Sequence, residues 1–223
     1  MDEIKKYLHV LKDLGFKEIF VNQRGSNTGM EKIDKAKLLE EIAKQIKECT
    51  KCELHKFRTQ AVPGEGNPDA KLMFVGEAPG GDEDKQGRPF VGRAGKLLTR
   101  MIEATGHKRE EFYITNTVKC RPPNNRTPTP WEQETCWPYL EKQIEIIDPK
   151  VICLLGAAAG YAFLKRPVKI TKERGQIIHW NGRLLFLTFH PAYVLRNLQA
   201  EPILLQDIKK AIELAYSEGG EVE

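Results

Sequence analysis

The sequence predicts an α/β fold of three layers, in which a small, mostly parallel central sheet is flanked by helices on both faces. Short apolar runs of strand length occur at residues 71–76, 112–118, 151–155 and 184–189, and helical stretches lie at about 93–105, 130–147, 157–164 and 202–216. Such alternation is typical of parallel sheets, because parallel strands need crossover connections that are usually helices.

The amino-terminal part of the chain has a different sequence pattern from the rest. Residues 2–15 have apolar positions at helical spacing, and the polar, glycine-containing stretch after them is typical of a linker. A second predicted helix, over 31–47, places Leu38, Leu39, Ile42 and Ile46 on one side. We therefore divide the chain into a helical appendage with its linker at 1–30, one domain at 31–216, and an acidic tail at 217–223.

Bulk properties exclude some classes of protein. No apolar run approaches the roughly 20 residues that span a bilayer, and the first residues lack the features of a secretory signal. We therefore expect a cytoplasmic monomer that binds no membrane. The formal net charge of +4 allows a surface that binds phosphates but does not require one.

The placement of the cysteines indicates a metal site. Cys49 and Cys52 form a Cys-x2-Cys pair, and Cys120 and Cys136 follow in a later loop and helix. An odd total of five, without an export signal, argues against disulfides. Four thiolates suit either zinc or a 4Fe–4S cluster, and the spacing alone leaves both open. Cys153, inside an apolar run, is expected to be an ordinary buried cysteine.

Unusual loops follow three of the predicted strands, and in parallel sheets ligands bind at the carboxyl ends of strands. Loop one, residues 75–95, is not a phosphate-binding loop, since it lacks the Gly-Lys-Ser/Thr ending. Its Pro-Gly-Gly turn brings backbone N–H groups near a ligand, and its aromatic Phe90 can stack on a planar ring. In loop two, residues 115–130, Asn116 is either a structural amide or the reader of a base edge.

Cations and apolar side chains in loops two and three point to nucleic acid. Lys119, Arg121 and Arg126 predict a phosphate-contacting surface, although a loop that only binds a metal cluster could also be basic. In loop three, residues 188–197, His190 stands at the carboxyl end of a strand, a position that favours function. An apolar tip of Tyr193, Val194 and Leu195 then ends in Arg196, as minor-groove insertion requires.

Together these pieces resemble the family 4 uracil-DNA glycosylases over about residues 46–215. The resemblance rests on GEAPG, EDKQGRPFVGRAG, TNTVKCRPPNNRTP and HPAY, with the four cysteines in the family's order. It implies a small parallel sheet between helices and a 4Fe–4S cluster on Cys49, Cys52, Cys120 and Cys136. It also implies an enzyme that hydrolyses the N-glycosidic bond of uracil in single- and double-stranded DNA, releasing uracil and leaving an abasic site.

The resemblance also implies roles for single residues. Uracil would lie against the backbone of Gly76, Glu77 and Ala78 and stack on Phe90. Asn116 would read its edge, and a neutral His190 would donate to its O2. Arg121, Arg126, Val194, Leu195 and Arg196 would contact DNA.

The resemblance leaves the group that guides the attacking water unassigned. Ala78 stands where family 1 enzymes carry an aspartate, so Glu83 is the first candidate and Glu77 the second. Three other functions remain open: a non-catalytic iron–sulfur module that binds nucleic acid, a glycosylase of wider range that includes hypoxanthine, and a zinc-stabilised α/β enzyme for a small substrate. Ala78 favours the first of these, whereas Asn116, Phe90 and His190 together oppose it.

Overall fold

The computed structural model describes Lys12 and residues 34–217. Most of the predicted helix over 2–15, the linker after it and the tail from residue 218 onward lie outside the described residues. Within the described part, no helix is long and apolar enough to cross a membrane.

The strands are β1 (Glu65–Gly66), β2 (Leu72–Gly76), β3 (Tyr113–Asn116), β4 (Val151–Leu155), β5 (Ile177–Trp180) and β6 (Arg183–Thr188). The α-helices are α1 (Lys35–Glu48), α2 (Gly81–Gln86), α3 (Arg93–Glu103), α4 (Pro130–Ile147), α5 (Ala157–Leu164), α6 (Ile170–Glu173), α7 (Pro191–Val194) and α8 (Glu201–Tyr216). Short 3-10 helices lie at Glu53–Lys56, Arg109–Glu111, Pro123–Asn125 and Leu198–Ala200.

The sheet has the strand order β1-β3-β2-β4-β6-β5. The four inner strands are parallel, and the two edge strands β1 and β5 run antiparallel to their neighbours. Alternate side chains of each strand point to opposite faces, so the sheet divides the core into two clusters. One cluster packs against α1, α4 and α5, and the other against α3 and α8. The predicted three-layer, mostly parallel fold is confirmed.

Helix α1 belongs to the core. Asp34 caps its amino end by accepting from the Lys37 N–H at 3.1 Å, and the predicted apolar side of the helix is buried.

The sequence analysis missed both edge strands and three short helices. Strand β1 has only two residues, but β5 and β6 are joined by Asn181-Gly182, whose positive φ angles of 45° and 75° suit a two-residue hairpin. That signal was present in the sequence.

Strand register brings the three loops together. Gly76 of β2 pairs with Asn116 of β3, and Leu155 of β4 pairs with Thr188 of β6. Since these strands are parallel, loops one, two and three leave the sheet at the same edge. The side chain of His190 approaches Gly156, where an added Cβ would lie 3.0 Å from the histidine Cβ.

Candidate active site

A cavity of about 450 Å³ opens at this edge of the sheet. All three loops line it. The predicted site residues along its wall are Glu77, Ala78, Glu83, Phe90, Asn116, Arg126, His190 and Arg196. Its volume lies within the range of about 300–1,000 Å³ that is usual for small-molecule sites.

The amide of Asn116 is buried and incompletely bonded. The residue is 2% exposed, and its Oδ1 has no hydrogen-bond partner within the described residues. A buried polar atom without a partner destabilises the fold, so such an atom indicates a ligand that donates to it. The Asn116 amide and the Phe90 ring can both lie close to Gly76 because it has no side chain. An added Cβ would lie 2.5 Å from Asn116 Oδ1 and 2.4 Å from Phe90 Cζ.

The Phe90 ring is held by a strained backbone. Its φ of 51° lies in the left-handed region, which non-glycine residues rarely adopt. Arg109 stabilises this turn by donating to the carbonyl oxygens of Phe90 at 3.1 Å and Pro89 at 2.6 Å. Gly95 is also required, since an added Cβ would lie 1.9 Å from the Phe90 carbonyl oxygen. Sequence reasoning missed Arg109, which carries no local signal.

The structure defines the tautomer of His190. Its Nδ1 accepts a hydrogen bond from the Ala192 N–H at 3.1 Å, as the cap of helix α7. In the neutral ring the proton therefore lies on Nε2. Burial, with a smaller effect of the Arg196 charge, lowers the pKa of His190 to about 4. At neutral pH the ring is thus an uncharged donor, tilted at 34° to the Phe90 ring with a centroid separation of 5.7 Å.

The two candidate carboxylates differ in their contacts. Glu83 accepts from the backbone N–H groups of Val91 at 3.0 Å, Gly92 at 2.8 Å and Gly80 at 3.1 Å, so it ties together both ends of loop one. Glu77 faces the same cavity with fewer partners. Burial raises the pKa of its carboxyl, and a hydrogen bond with Thr127 opposes that change.

The predicted DNA contacts are placed unevenly. Arg126 donates to both oxygens of Glu132, at 2.8 and 2.6 Å, and Arg121 donates to Asn125 Oδ1 at 2.8 Å. Arg196 is exposed at the cavity mouth.

The prediction that Val194 projects outward was wrong. Val194 is fully buried, because the turn of α7 directs it into the core beside α3 and α8. Leu195 is half-buried. The exposed apolar side chain of this segment is Leu198, with 67% of its surface accessible. The sequence analysis missed it, although it follows Arg196 by two positions.

The four predicted metal ligands line a second, mainly apolar cavity. Cys49, Cys52, Cys120 and Cys136 face it together with Ile46, Val118 and Tyr139. Within the described residues, no three His, Cys, Asp or Glu side chains are grouped so as to hold a single metal ion. Cys153 lies on the other face of the sheet, fully buried as expected.

Hydrogen bonds converge on three of these sulfurs. Arg58 Nη1 lies 2.9 Å from Cys120 Sγ, the Lys119 N–H donates to Cys136 Sγ at 3.4 Å, and the Lys51 N–H donates to Cys49 Sγ at 3.5 Å. Burial raises the pKa of the Cys136 thiol to about 12 and raises that of Cys120.

Comparisons with known proteins agree with this geometry. The family model described as the uracil DNA glycosylase superfamily matches residues 63–213. A type-4 uracil-DNA glycosylase of Thermotoga maritima is 53% identical over 186 residues, which cover 82% of this chain and 97% of that protein. One of Sulfurisphaera tokodaii is 52% identical over 188 residues, 80% of this chain and 86% of that protein. A type-5 enzyme of Pyrobaculum aerophilum is 26% identical over 194 residues, 78% of this chain and 84% of that protein.

Proposed function

The chain belongs to the uracil-DNA glycosylase superfamily and, within it, to the type-4 enzymes, and we propose that it excises uracil in the cavity between loops one, two and three. It is a uracil-DNA glycosylase, a hydrolase of N-glycosyl bonds. The observation that carries the assignment of the site is the buried, unpaired Oδ1 of Asn116, which shares one cavity with the His190 ring.

Base recognition would follow from complementary hydrogen bonds. Uracil offers a donor at N3 and an acceptor at O4. Asn116 Oδ1 would accept from N3, and the amide nitrogen would donate to O4. Phe90 would stack on the uracil ring. Gly76 has no side chain and so leaves space for the Phe90 ring. Cytosine presents the opposite pair of groups, so an amide fixed in this orientation rejects it.

Catalysis would rely on His190. The uracil must first leave the base stack, which costs a few kcal/mol. As the N-glycosidic bond breaks, the sugar gains positive character and the base becomes an anion. A hydrogen bond from Nε2 to O2 strengthens as this negative charge develops, and it therefore lowers the barrier. The depressed pKa of His190 supports this role, since it keeps the ring in its neutral, Nε2-protonated form.

Water must then add to the sugar. The contacts favour Glu77 over Glu83 for guiding it, because both oxygens of Glu83 already accept from backbone N–H groups of loop one. We assign Glu83 to holding the loop and Glu77 to orienting water. Comparing single-turnover excision by Glu77→Gln and Glu83→Gln tests the division. A loop-holding role predicts that Glu83→Gln also lowers the melting temperature.

Type-4 enzymes typically carry a 4Fe–4S cluster, and four cysteines around one cavity are the donor set that such a cluster requires. Four sulfurs line it, and N–H donors already point at three of them. We propose that Cys49, Cys52, Cys120 and Cys136 hold the cluster. Bound there, it would supply a structural cross-link between the end of α1, loop two and α4, and no step of the reaction passes through it.

DNA would reach the cavity across loops two and three. Arg121 and Arg196 are proposed to contact phosphates, while Arg126 is held by Glu132 and would act mainly by shaping loop two. Leu195 and Leu198 are proposed to fill the gap that the flipped base leaves in a duplex. We propose that the protein acts as a monomer, because residues of a single chain supply every contact proposed for the base.

The decisive experiment is an excision assay on uracil-containing single-stranded and duplex DNA, followed by alkaline cleavage of abasic sites. We expect cleavage at uracil with both substrates. Binding without cleavage would indicate a non-catalytic module. Comparable excision of hypoxanthine would indicate a wider pocket than Asn116 suggests.

A further inference from the structure

The ammonium group of Lys119 is fully buried, although the side chain lies outside the base cavity. Its three N–H donors are all used, at 2.6 Å to Thr115 Oγ1, 2.8 Å to the Asn116 carbonyl oxygen and 2.7 Å to Gln143 Oε1. Every one of these acceptors is uncharged. Lys119 also lines the cysteine cavity, but none of these three bonds goes to a cysteine sulfur, so the ammonium ties the end of β3 to α4.

The bond to Asn116 replaces a missing strand partner. On the outer side of β3, the edge strand β1 pairs only with Tyr113 and Ile114. The carbonyl of Asn116 lies beyond that pairing and accepts from Lys119 instead. On the inner side, the N–H of Thr117 donates to the Gly76 carbonyl at 2.9 Å. The peptide between residues 116 and 117 is thus fixed from both sides.

Fixing this peptide holds the end of β3 in place, and with it the Cα of Asn116, from which the side chain extends to the wall of the base cavity. Lys119 is itself anchored, because its carbonyl accepts from the Val62 N–H at 2.8 Å and its N–H donates to Cys136 Sγ. The lysine therefore links the cysteine site to the base cavity.

We propose that Lys119 is a positioning residue for base recognition, whose ammonium holds the end of β3 so that the Asn116 amide faces the base. The proposal rests on the proposed role of Asn116. It predicts that loss of the ammonium weakens base binding and excision while DNA binding and the iron content persist.

The test compares Lys119→Met with a matched control, Gln143→Leu. The control removes another member of the same buried network but leaves the bond from Lys119 to Asn116 in place. We expect Lys119→Met to keep its iron and its affinity for single-stranded DNA. Its single-turnover excision rate should fall by about 10²-fold, the scale of a small misplacement, and inhibition by free uracil should weaken in parallel. Gln143→Leu should stay close to the wild-type rate.

A double-mutant cycle separates this inference from the function on which it rests. If Lys119 acts through Asn116, Lys119→Met adds little to Asn116→Ala. Additive losses, equal losses in Lys119→Met and Gln143→Leu, or loss of iron from Lys119→Met would overturn the positioning role. If Asn116→Ala leaves inhibition by free uracil unchanged, Asn116 does not bind the base, and its proposed function is wrong whatever the result for Lys119. Lys119→Leu, which also lacks a donor for the Asn116 carbonyl, serves if the methionine variant does not fold, and a wild-type rate from it contradicts the proposal.

Discussion

The base cavity and the cysteine cavity lie at opposite ends of the short segment from Asn116 to Cys120, and they differ in how their polar groups are satisfied. In the base cavity, Asn116 Oδ1 has no partner within the described residues, and His190 Nε2 lies on a ring whose other nitrogen is already bonded. In the cysteine cavity, N–H donors already face three sulfurs. The first arrangement suits a ligand that comes and goes, and the second suits one that stays.

The largest effect is expected from Asn116→Asp. A carboxylate offers no donor to uracil O4 and repels it, so uracil excision should fall by about 10⁴-fold, the scale on which polar sites reject mismatched edges. Single-turnover rates on uracil and on cytosine measure this. Slight cytosine excision is compatible with the assignment, whereas undiminished uracil excision would show that another residue reads the base.

His190→Ala should cost about 10²–10³ in single-turnover rate, as removal of one oxyanion donor does. The affinity for uracil-containing DNA should change little, because the hydrogen bond gains its strength in the transition state. Measuring both quantities on the same substrate separates catalysis from binding. A fall in affinity at an unchanged rate would reassign His190 to substrate binding.

The depressed pKa of His190 also predicts a pH dependence of stability. The folded protein takes up this proton only near pH 4, whereas the unfolded chain takes it up near the ordinary value of 6.5. Stability that is present above about pH 6.5 is therefore lost as the pH falls toward 4. We expect the melting temperature of His190→Gln to fall less over this interval than that of the wild type. Identical curves would contradict the burial of a neutral ring.

The role of the cysteine cavity is tested by the iron content and the melting temperature of cysteine variants. Cys120→Ala should lose iron and lower the melting temperature, since metal binding is coupled to folding. Cys153→Ala is the matched control, because Cys153 is also buried but faces the other side of the sheet. It should keep close to four irons per chain. If Cys153 were required for iron and Cys120 were not, the ligand assignment would be wrong.

The two cavities were also unequally predictable from sequence. Gly76, Asn116 and His190 could be brought together in advance, because each follows a parallel strand and such ends meet at one edge. The tautomer of His190 could not be predicted, since it depends on the Ala192 N–H of a four-residue helix. The strained turn at Phe90 could not be predicted either, because Arg109, which stabilises it, is distant in sequence.

Loop three shows the same limit, and it supplies the smallest predicted effect. The sequence predicted a projecting tip of Tyr193, Val194 and Leu195, whereas the structure buries Val194 and exposes Leu198, which lies beyond that run. Only a duplex needs its gap filled after flipping, so Leu198→Ala should slow excision from duplex DNA by up to about tenfold, or about 1.4 kcal/mol, and leave single strands nearly unaffected. Val194→Ala should instead destabilise the fold by about 2 kcal/mol and affect both substrates equally. Equal losses on both substrates with Leu198→Ala would show that Leu198 does not fill this gap, since a general loss of DNA contact does not distinguish one strand from two.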